Sequence, residues 1–145
     1  MKVDELSRYT HSNSFRFTPA DDLAKVCNAP SDKAGVYLIY ALNGDQVELI
    51  YIGRSGEIKP DGSFFIRNAG LGGIKDRLVN GKQFGEPRRR SWKRMMILEG
   101  IQVLEVHWFI THNDTFTHCP RVFESTLLQK HYDVHRRLPK WNNEF

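Results

Sequence analysis

Apolar residues along the chain fall into a few runs that are long enough to predict strands. The runs at 36–40 and 47–52 are rich in β-branched and aromatic residues, and a polar turn at 43–45 separates them. This pattern predicts a β-hairpin over 34–53. A third run at 101–110 is apolar almost without interruption and predicts another strand.

Four further segments have the features of helices. The first has Thr18 as a capping residue, followed by a proline and two acids, and we expect it to reach about Cys27. Residues 74–79 and 88–98 predict two more helices, and a last helix opens at Pro120. The apolar stripe of the last helix has spacings of three and four and consists of Phe123, Leu127, His131 and Val134.

The order of elements from the hairpin onward is β-β-α-α-β-α, which indicates the α+β class. We expect a small three-stranded antiparallel sheet flanked by helices, because the strands are apolar on both faces and both faces need a cover. The expected organisation is one compact domain at 34–145, preceded by an N-terminal extension with a short helix at 1–33. A loop-rich insertion occupies 54–72.

Composition narrows the class of protein. The chain has 145 residues, enough for one domain, and its 40% hydrophobic and 26% charged residues are ordinary for a globular protein. No apolar run approaches the roughly 20 residues that cross a bilayer, and the charged N-terminus lacks the apolar stretch of a signal peptide. Cys27 and Cys119 form no CxxC pattern and suit free thiols, so we expect a cytoplasmic protein with no membrane partner.

Positive charge is concentrated in one segment of a chain whose net charge is +4. The basic cluster surrounds Trp92 and consists of Arg88, Arg89, Arg90, Lys93 and Arg94. One interpretation of the basic cluster is a solvated helix face, and the other is a surface that contacts phosphates. Trp92 then either stacks on a base or packs in the core.

Two tyrosines occupy comparable places in the hairpin strands, in a GVY string that ends at Tyr37 and a YIG string that begins at Tyr51. If the loop is the three residues 43–45, Tyr37 lies directly opposite Tyr51 on one face of the sheet. A two-residue loop would put the two phenols on opposite faces. The sequence alone does not choose between these registers, and only the first brings the hydroxyls together.

The two tyrosine strings resemble the signature of the GIY-YIG nuclease superfamily. Three further pieces of the family pattern follow in the right order: Arg77 within IKDRL, Glu124 within ESTLLQKH, and Asn142 within PKWN. The resemblance covers residues 34–143, which is most of the chain. It implies a small three-stranded sheet flanked by helices, in agreement with the fold expected from the pattern.

The chain departs from the family pattern in two places. Gly81 stands where many members have His or Tyr four residues after the helix arginine, and Lys82 is a candidate to replace that group. The insertion at 56–72 lengthens the path from the YIG string to Arg77. A long spacer at this point is most similar in layout to the restriction-endonuclease branch.

The resemblance implies a metal-dependent endonuclease that hydrolyses phosphodiester bonds in DNA, with Mg²⁺ or Mn²⁺ as cofactor. Glu124 would be the metal ligand, and Arg77 would clamp the scissile phosphate. Tyr37 would act as general base, which requires nearby positive charge to lower its pKa. Tyr51 would hydrogen-bond to the phosphate or the water, and Asn142 would fix the geometry of the site. Further phosphate-binding candidates are Arg54, Lys82 and the basic cluster.

Two other functions remain open on the sequence alone. A nucleic-acid-binding module on the same fold, impaired in catalysis, is suggested by Gly81. The presence of the complete set of candidate catalytic residues argues against it. A structural domain whose basic cluster binds an acidic protein is the third alternative. The expected partner is double-stranded DNA, and the sequence leaves open site specificity, the acceptance of RNA and the formation of a homodimer.

Overall fold

The computed structural model describes residues 4–68 and 70–145 and has an α+β fold. A short 3₁₀ turn at Asp4–Leu6 precedes the first strand. The strands are β1 (Ser12–Phe17), β2 (Gly35–Asn43), β3 (Gln46–Ser55), β4 (Glu57–Ile58), β5 (Phe64–Phe65), β6 (Lys82–Gln83), β7 (Glu86–Pro87) and β8 (Val103–Ile110). The helices are α1 (Leu23–Val26), α2 (Gly73–Asn80), α3 (Arg88–Glu99) and α4 (Pro120–His135).

The main sheet is antiparallel and has four strands in the order β1-β8-β2-β3. The predicted class is confirmed, but the predicted number of three strands is wrong. The extra strand is β1, which lies in the segment predicted as an N-terminal extension and pairs with β8 from Ser12↔Phe109 to Phe17↔Leu104. Only Phe15 and Phe17 of β1 are buried, so its sequence carries too little apolar alternation to predict a strand.

The first helix begins later than predicted. Thr18 caps a turn rather than a helix, because its backbone N–H and its hydroxyl both donate to Asp21 Oδ2. The cap of α1 is Asp22, whose Oδ1 accepts from the Ala24 N–H at 3.1 Å. The predicted positions of α2, α3 and α4 agree with the structure, and α4 begins at Pro120.

Both faces of the sheet are covered, as the apolar strands require. On one face, Tyr37 and Ile39 of β2 pack in a cluster with residues of α1, α2 and α3. On the other face, Val36 and Leu38 pack in a cluster with Leu127 and its neighbour on α4. Among the described residues, no helix combines the length and the apolar character needed to cross a membrane.

The buried face of α4 differs from the predicted stripe at its C-terminal end. Leu127, Leu128 and His131 are buried, whereas Val134 is 71% exposed. Because Leu128 is buried together with Leu127, the buried face of α4 is rotated by about one residue from the stripe that a strict spacing of three and four predicts. The last turn of α4 therefore lies beyond the apolar contact with the sheet.

The hairpin register differs from the one predicted, yet the two tyrosines still share a face. The turn has two residues, since Asn43 pairs with Gln46, and an irregularity after Ile39 adds one residue to β3. Tyr37 consequently faces Gly53 rather than Tyr51. The extra residue restores the parity that the shorter turn would have reversed. The rings of Tyr37 and Tyr51 lie with centroids 6.2 Å apart and planes inclined by 30°.

Gly53 is the residue that lets the Tyr37 ring lie across β3. A Cβ atom at position 53 would lie 2.5 Å from Tyr37 Cζ, closer than any real contact. A side chain at this position would therefore displace a fully buried aromatic ring. The glycine of the YIG string has a packing reason that is specific to this pair of strands.

Candidate active site

One polar cavity of about 240 Å³ brings together four of the five predicted catalytic residues. Tyr51 reaches it from β3, Arg77 from α2, Glu124 from α4 and Asn142 from the C-terminal tail. Arg54, a predicted phosphate ligand, lines the same cavity. These side chains are up to 142 − 51 = 91 positions apart in the chain, and the packing of α2 and α4 against β3 brings them together.

Glu124 and Arg54 form an ion pair in the wall of the cavity. Arg54 Nε donates to Glu124 Oε1 at 3.2 Å, and both side chains are about two-thirds to three-quarters covered. Burial raises the pKa of Glu124 above its ordinary value, and the charges of Arg54 and Arg77 oppose that shift. A second cation close to this carboxylate would favour its ionised form.

Arg77 is a cation without a counter-ion in the part of the chain that the structure describes. Its Nε is buried and has no hydrogen-bond partner, and no carboxylate lies within salt-bridge distance. An unpaired buried donor costs free energy until an acceptor arrives. The position of Arg77 in the cavity wall therefore favours an anionic ligand such as a phosphate.

The two tyrosines differ in their access to the cavity. Tyr51 is half-buried and lines it, whereas Tyr37 is fully buried and its hydroxyl has no partner among the described residues. Burial and the neighbouring Tyr37 raise the pKa of Tyr51 to about 12, against the lowering effect of Arg88. Tyr51 is thus a neutral phenol at neutral pH and presents a hydrogen-bonding group rather than a charge.

Asn142 ties the C-terminal tail to the edge of the main sheet. Its Oδ1 accepts from the Ile52 N–H, and its Nδ2 donates to the Ile52 carbonyl, both at 3.0 Å. The Trp141 N–H adds a bond to the Ile50 carbonyl at 2.8 Å. Because β3 is an edge strand, these bonds satisfy backbone groups that no neighbouring strand reaches. The amide holds the strand that carries Tyr51.

Arg88 is not part of an exposed phosphate-binding surface, and this prediction is corrected by the structure. The residue is 1% exposed. Its guanidinium donates to Gln83 Oε1 at 2.9 Å, to the Arg77 carbonyl at 2.6 Å and to Tyr51 Oη at 3.4 Å. Among the described residues no carboxylate pairs with it. Three acceptors and the faces of the two tyrosine rings satisfy this charge, which a charge pattern in the sequence cannot reveal.

Gly81 leaves the space that Arg88 occupies. A Cβ atom at position 81 would lie 2.6 Å from one terminal nitrogen of Arg88 and 2.3 Å from the Arg77 carbonyl oxygen. The guanidinium from α3 therefore lies where a side chain at position 81 would begin. Lys82, the sequence-based candidate to replace a group at Gly81, is exposed on β6.

The rest of the basic cluster is exposed or half-buried, and two of its members, Arg89 and Arg94, form hydrogen bonds within the protein. Arg89, Arg90 and Arg94 are exposed, and Lys93 is half-buried. Arg94 donates to the Phe84 carbonyl at 2.9 Å, and Arg89 bonds to the side chain of Asn80. Trp92 is fully buried and donates to Gln83 Oε1 at 2.9 Å, which favours its packing role over base stacking.

Two charged residues of the cavity were missed by sequence reasoning. Arg121 and Glu144 both line it. Arg121 stands three residues before Glu124 on α4, so a helical projection from Glu124 would have indicated it. No periodic signal indicated Glu144, because it lies in an irregular tail.

The carboxylate oxygens in the cavity wall are of the type that a hard divalent cation binds. The described residues contain no group of three or more His, Cys, Asp or Glu side chains that would hold a metal alone. Glu124 and Glu144 nevertheless line one polar cavity. Mg²⁺ is commonly held by one or two carboxylates, with water and substrate oxygens completing its shell. Glu124 is the better placed of the two, because it is half-buried on a helix.

No family model, curated protein or solved structure matches this chain. The chemistry of the cavity therefore has to be argued from its own side chains. Those side chains are an arginine with no ion-pair partner among the described residues, a half-buried carboxylate paired with Arg54, and a neutral phenol, and they surround one space of about 240 Å³.

Proposed function

We propose that this protein is a metal-dependent endonuclease that hydrolyses phosphodiester bonds in DNA. The observation that carries the proposal is the shared cavity of Tyr51, Arg77, Glu124 and Asn142, in which Arg77 has no counter-ion among the described residues. The order of the sequence motifs gives independent support, because the same residues make up the pattern that resembles GIY-YIG nucleases.

Each side chain has a task in phosphodiester hydrolysis. Arg77 binds the scissile phosphate and offsets the negative charge that grows on its oxygens. Glu124 holds Mg²⁺ or Mn²⁺, which supplies Lewis-acid charge next to the phosphate when it is bound. Tyr51 hydrogen-bonds to the phosphate or to the attacking water, in keeping with a pKa of about 12 that keeps its hydroxyl protonated.

Tyr37 remains the proposed proton acceptor, but its burial imposes a condition. Its hydroxyl is buried and has no partner among the described residues, so it reaches a water only after neighbouring side chains shift. Catalytic hydrogen bonds are often long or poorly aligned without substrate, and they tighten when the substrate binds. The orphaned hydroxyl supports this role, because a packing tyrosine would normally find a partner.

A second function has one observation in its favour. Glu124 Oε1 already accepts a hydrogen bond from Arg54, so a cation must compete with a guanidinium for this carboxylate. If the ion pair persists in the complex with DNA, the cavity binds a phosphate without cleaving it. The protein would then be a nucleic-acid-binding module on the same fold.

Cleavage of supercoiled plasmid DNA distinguishes the two functions. We expect nicked or linear products with Mg²⁺ or Mn²⁺ and none with a chelator. Glu124→Ala should abolish cleavage and leave DNA binding within about twofold, because it removes no basic side chain. Glu48→Ala is the matched control, since Glu48 is an exposed carboxylate on β3 outside the cavity. Undiminished cleavage by Glu124→Ala refutes the proposed active site, and metal-independent binding without cleavage supports the second function.

A further inference from the structure

A second cavity, of about 360 Å³, adjoins the candidate active site. Arg54 and Arg77 line both cavities, so the two cavities share the arginine that is proposed to bind the scissile phosphate. The remaining wall comes from the end of β3, the β4–β5 hairpin and the loop before α2. Its volume lies in the range of small-molecule sites, about 300–1,000 Å³, and suits a single nucleotide.

The floor of this second cavity offers unused hydrogen-bond donors. Ser55 is 3% exposed, lines the cavity, and has a hydroxyl with no partner among the described residues. Arg77 Nε is likewise buried and without a partner. A buried hydroxyl without a partner is rare in folded proteins and calls for a ligand or a water. An anion with several oxygens can accept hydrogen bonds from both donors.

A third cation, Arg67, is held in the cavity wall by a buried carboxylate. Arg67 Nε pairs with Asp76, which is almost fully buried on α2. Asp76 also accepts from the Leu71 N–H at 3.0 Å and from Asn80 Nδ2 at 2.9 Å. Burial alone would raise the pKa of Asp76, but the hydrogen bonds from Asn80 and Arg67 lower it, so the carboxylate stays ionised. The guanidinium is fixed in place rather than free to swing into solvent.

The β4–β5 hairpin contributes Phe65 and the exposed Glu57 to the wall of the cavity. Phe65 of β5 is 38% exposed. Gly56 lets the β4–β5 hairpin approach the sheet, since a Cβ there would lie 2.4 Å from Ala34 Cβ. The Lys59 ammonium lies over one face of the Phe65 ring, 5.1 Å from its centroid, so a stacked base would use the other face or displace this flexible side chain. An exposed ring next to fixed cations suits a base joined to a phosphate.

We propose that this second cavity is a nucleotide subsite for the residue next to the scissile phosphate of the cleaved strand. The scissile phosphate lies against Arg77, the other phosphate of that nucleotide lies against Ser55 and Arg67, and the base stacks on Phe65. This inference rests on the proposed nuclease function, because the shared arginines connect the two cavities. In this proposal the 54–72 insertion binds one nucleotide that flanks the scissile phosphate.

Thymidine 3′,5′-bisphosphate is the probe that tests the subsite, with pyrophosphate and thymidine as controls for charge and base. Calorimetry at low salt without divalent cations should give tighter binding of the bisphosphate than of pyrophosphate by about 5- to 150-fold, the range for one stacked base. Phe65→Ala should remove this advantage, and Phe65→Tyr should keep it. Tyr132→Ala, an exposed aromatic on α4, should change nothing.

Two further measurements locate the contacts. Ser55→Ala should weaken both the bisphosphate and pyrophosphate by about tenfold, as expected for one hydrogen bond to a charged group. Octathymidylate should lose affinity in Phe65→Ala in parallel with the bisphosphate. A loss for the bisphosphate alone would mean a site for free nucleotides and would overturn the placement on the DNA strand.

The subsite is refuted if wild-type protein binds the bisphosphate no more tightly than pyrophosphate, or if Phe65→Ala keeps the preference. A thermal melt of each variant separates loss of the ring from loss of the fold, and Phe65→Tyr provides a second check. Plasmid cleavage without a bisphosphate preference overturns the subsite and leaves the nuclease proposal intact. A bisphosphate preference without cleavage overturns the nuclease proposal.

Discussion

Replacing Asn142 tests whether the C-terminal tail holds the edge strand that carries Tyr51. Asn142→Ala removes both hydrogen bonds to Ile52, a fully buried residue of β3. Each such bond contributes about 0.5–1.5 kcal/mol net, and a buried group left unsatisfied costs about 1–3 kcal/mol. Because water can reach a half-buried tail, we expect a loss of about 1–3 kcal/mol in the free energy of unfolding.

Asn142→Asp gives a sharper test, because it keeps one hydrogen bond and replaces the other with repulsion between two oxygen atoms. The carboxylate still accepts from the Ile52 N–H, but its second oxygen faces the Ile52 carbonyl oxygen instead of donating to it. The variant should be least stable when the new carboxyl is ionised. Its stability should recover as the pH falls through the pKa of that carboxyl, since the protonated acid can donate again.

Urea unfolding and amide hydrogen exchange measure the two consequences separately. The midpoint in urea should fall for Asn142→Ala with an unchanged slope. The Ile52 amide should exchange faster than in wild type, because it loses its acceptor on the exposed edge of the sheet. Asn143→Ala is the matched control: Asn143 is the adjacent residue, is exposed, and should cost less than about 0.5 kcal/mol.

Equal effects of the two alanine variants would refute the role assigned to Asn142. The same holds for unchanged protection of the Ile52 amide in Asn142→Ala. Either result would mean that the tail lies on β3 without stabilising it, and that Trp141 alone anchors the tail through its bond to Ile50.

Three further predictions concern the charges of the site. Burial raises the folded pKa of Glu124 above its ordinary value of 4.5, so ionisation of this carboxyl disfavours the folded state. The stability of Glu124→Gln relative to wild type should therefore rise as the pH rises through and above 4.5 without divalent cations, and Mg²⁺ should raise the melting temperature of wild type only. Arg88→Met should raise the pKa of Tyr51 further, as followed by NMR of ¹³C-labelled tyrosine, whereas Arg88→Lys should leave most of the effect. Arg89→Gln and Arg90→Gln should each reduce the slope of log K against log salt for DNA binding by about one, and an unchanged slope would mean that these exposed arginines are merely solvated.

The sequence predicted those elements whose apolar residues repeat strongly. The hairpin, β8 and the last three helices follow from runs or periods that many residues share. The fourth strand, β1, could not be predicted in the same way, because its first three residues are polar and two phenylalanines alone anchor it. The pairing of β1 with β8 depends on tertiary contacts, which the local sequence pattern does not encode.

Four residues of the candidate site were predictable from the sequence, whereas Arg121, Glu144 and the arrangement of the side chains were not. Residue types and motif order indicated Tyr51, Arg77, Glu124 and Asn142, which the fold brings to one cavity. The extra residue of β3 could not be predicted, because the continuous apolar run at 49–52 contains no signal that marks where the register shifts. The burial of Arg88 depends on the acceptors that β6 and α2 place around it, so a linear charge pattern assigned it to the surface.

The charge of the cavity matches the change in charge along the proposed reaction. Its side chains include Arg54, Arg77 and Arg121 against Glu124 and Glu144, which gives 3 − 2 = +1 when both acids are ionised. A phosphodiester brings one negative charge, so the bound ground state is close to neutral. Attack by hydroxide adds a second negative charge, and a divalent cation would supply the additional positive charge that opposes it. With the cation bound, the cavity therefore has more positive charge than the diester neutralises. This excess charge stabilises the more negative transition state more than the bound substrate, and such a difference is the condition for catalysis rather than simple binding.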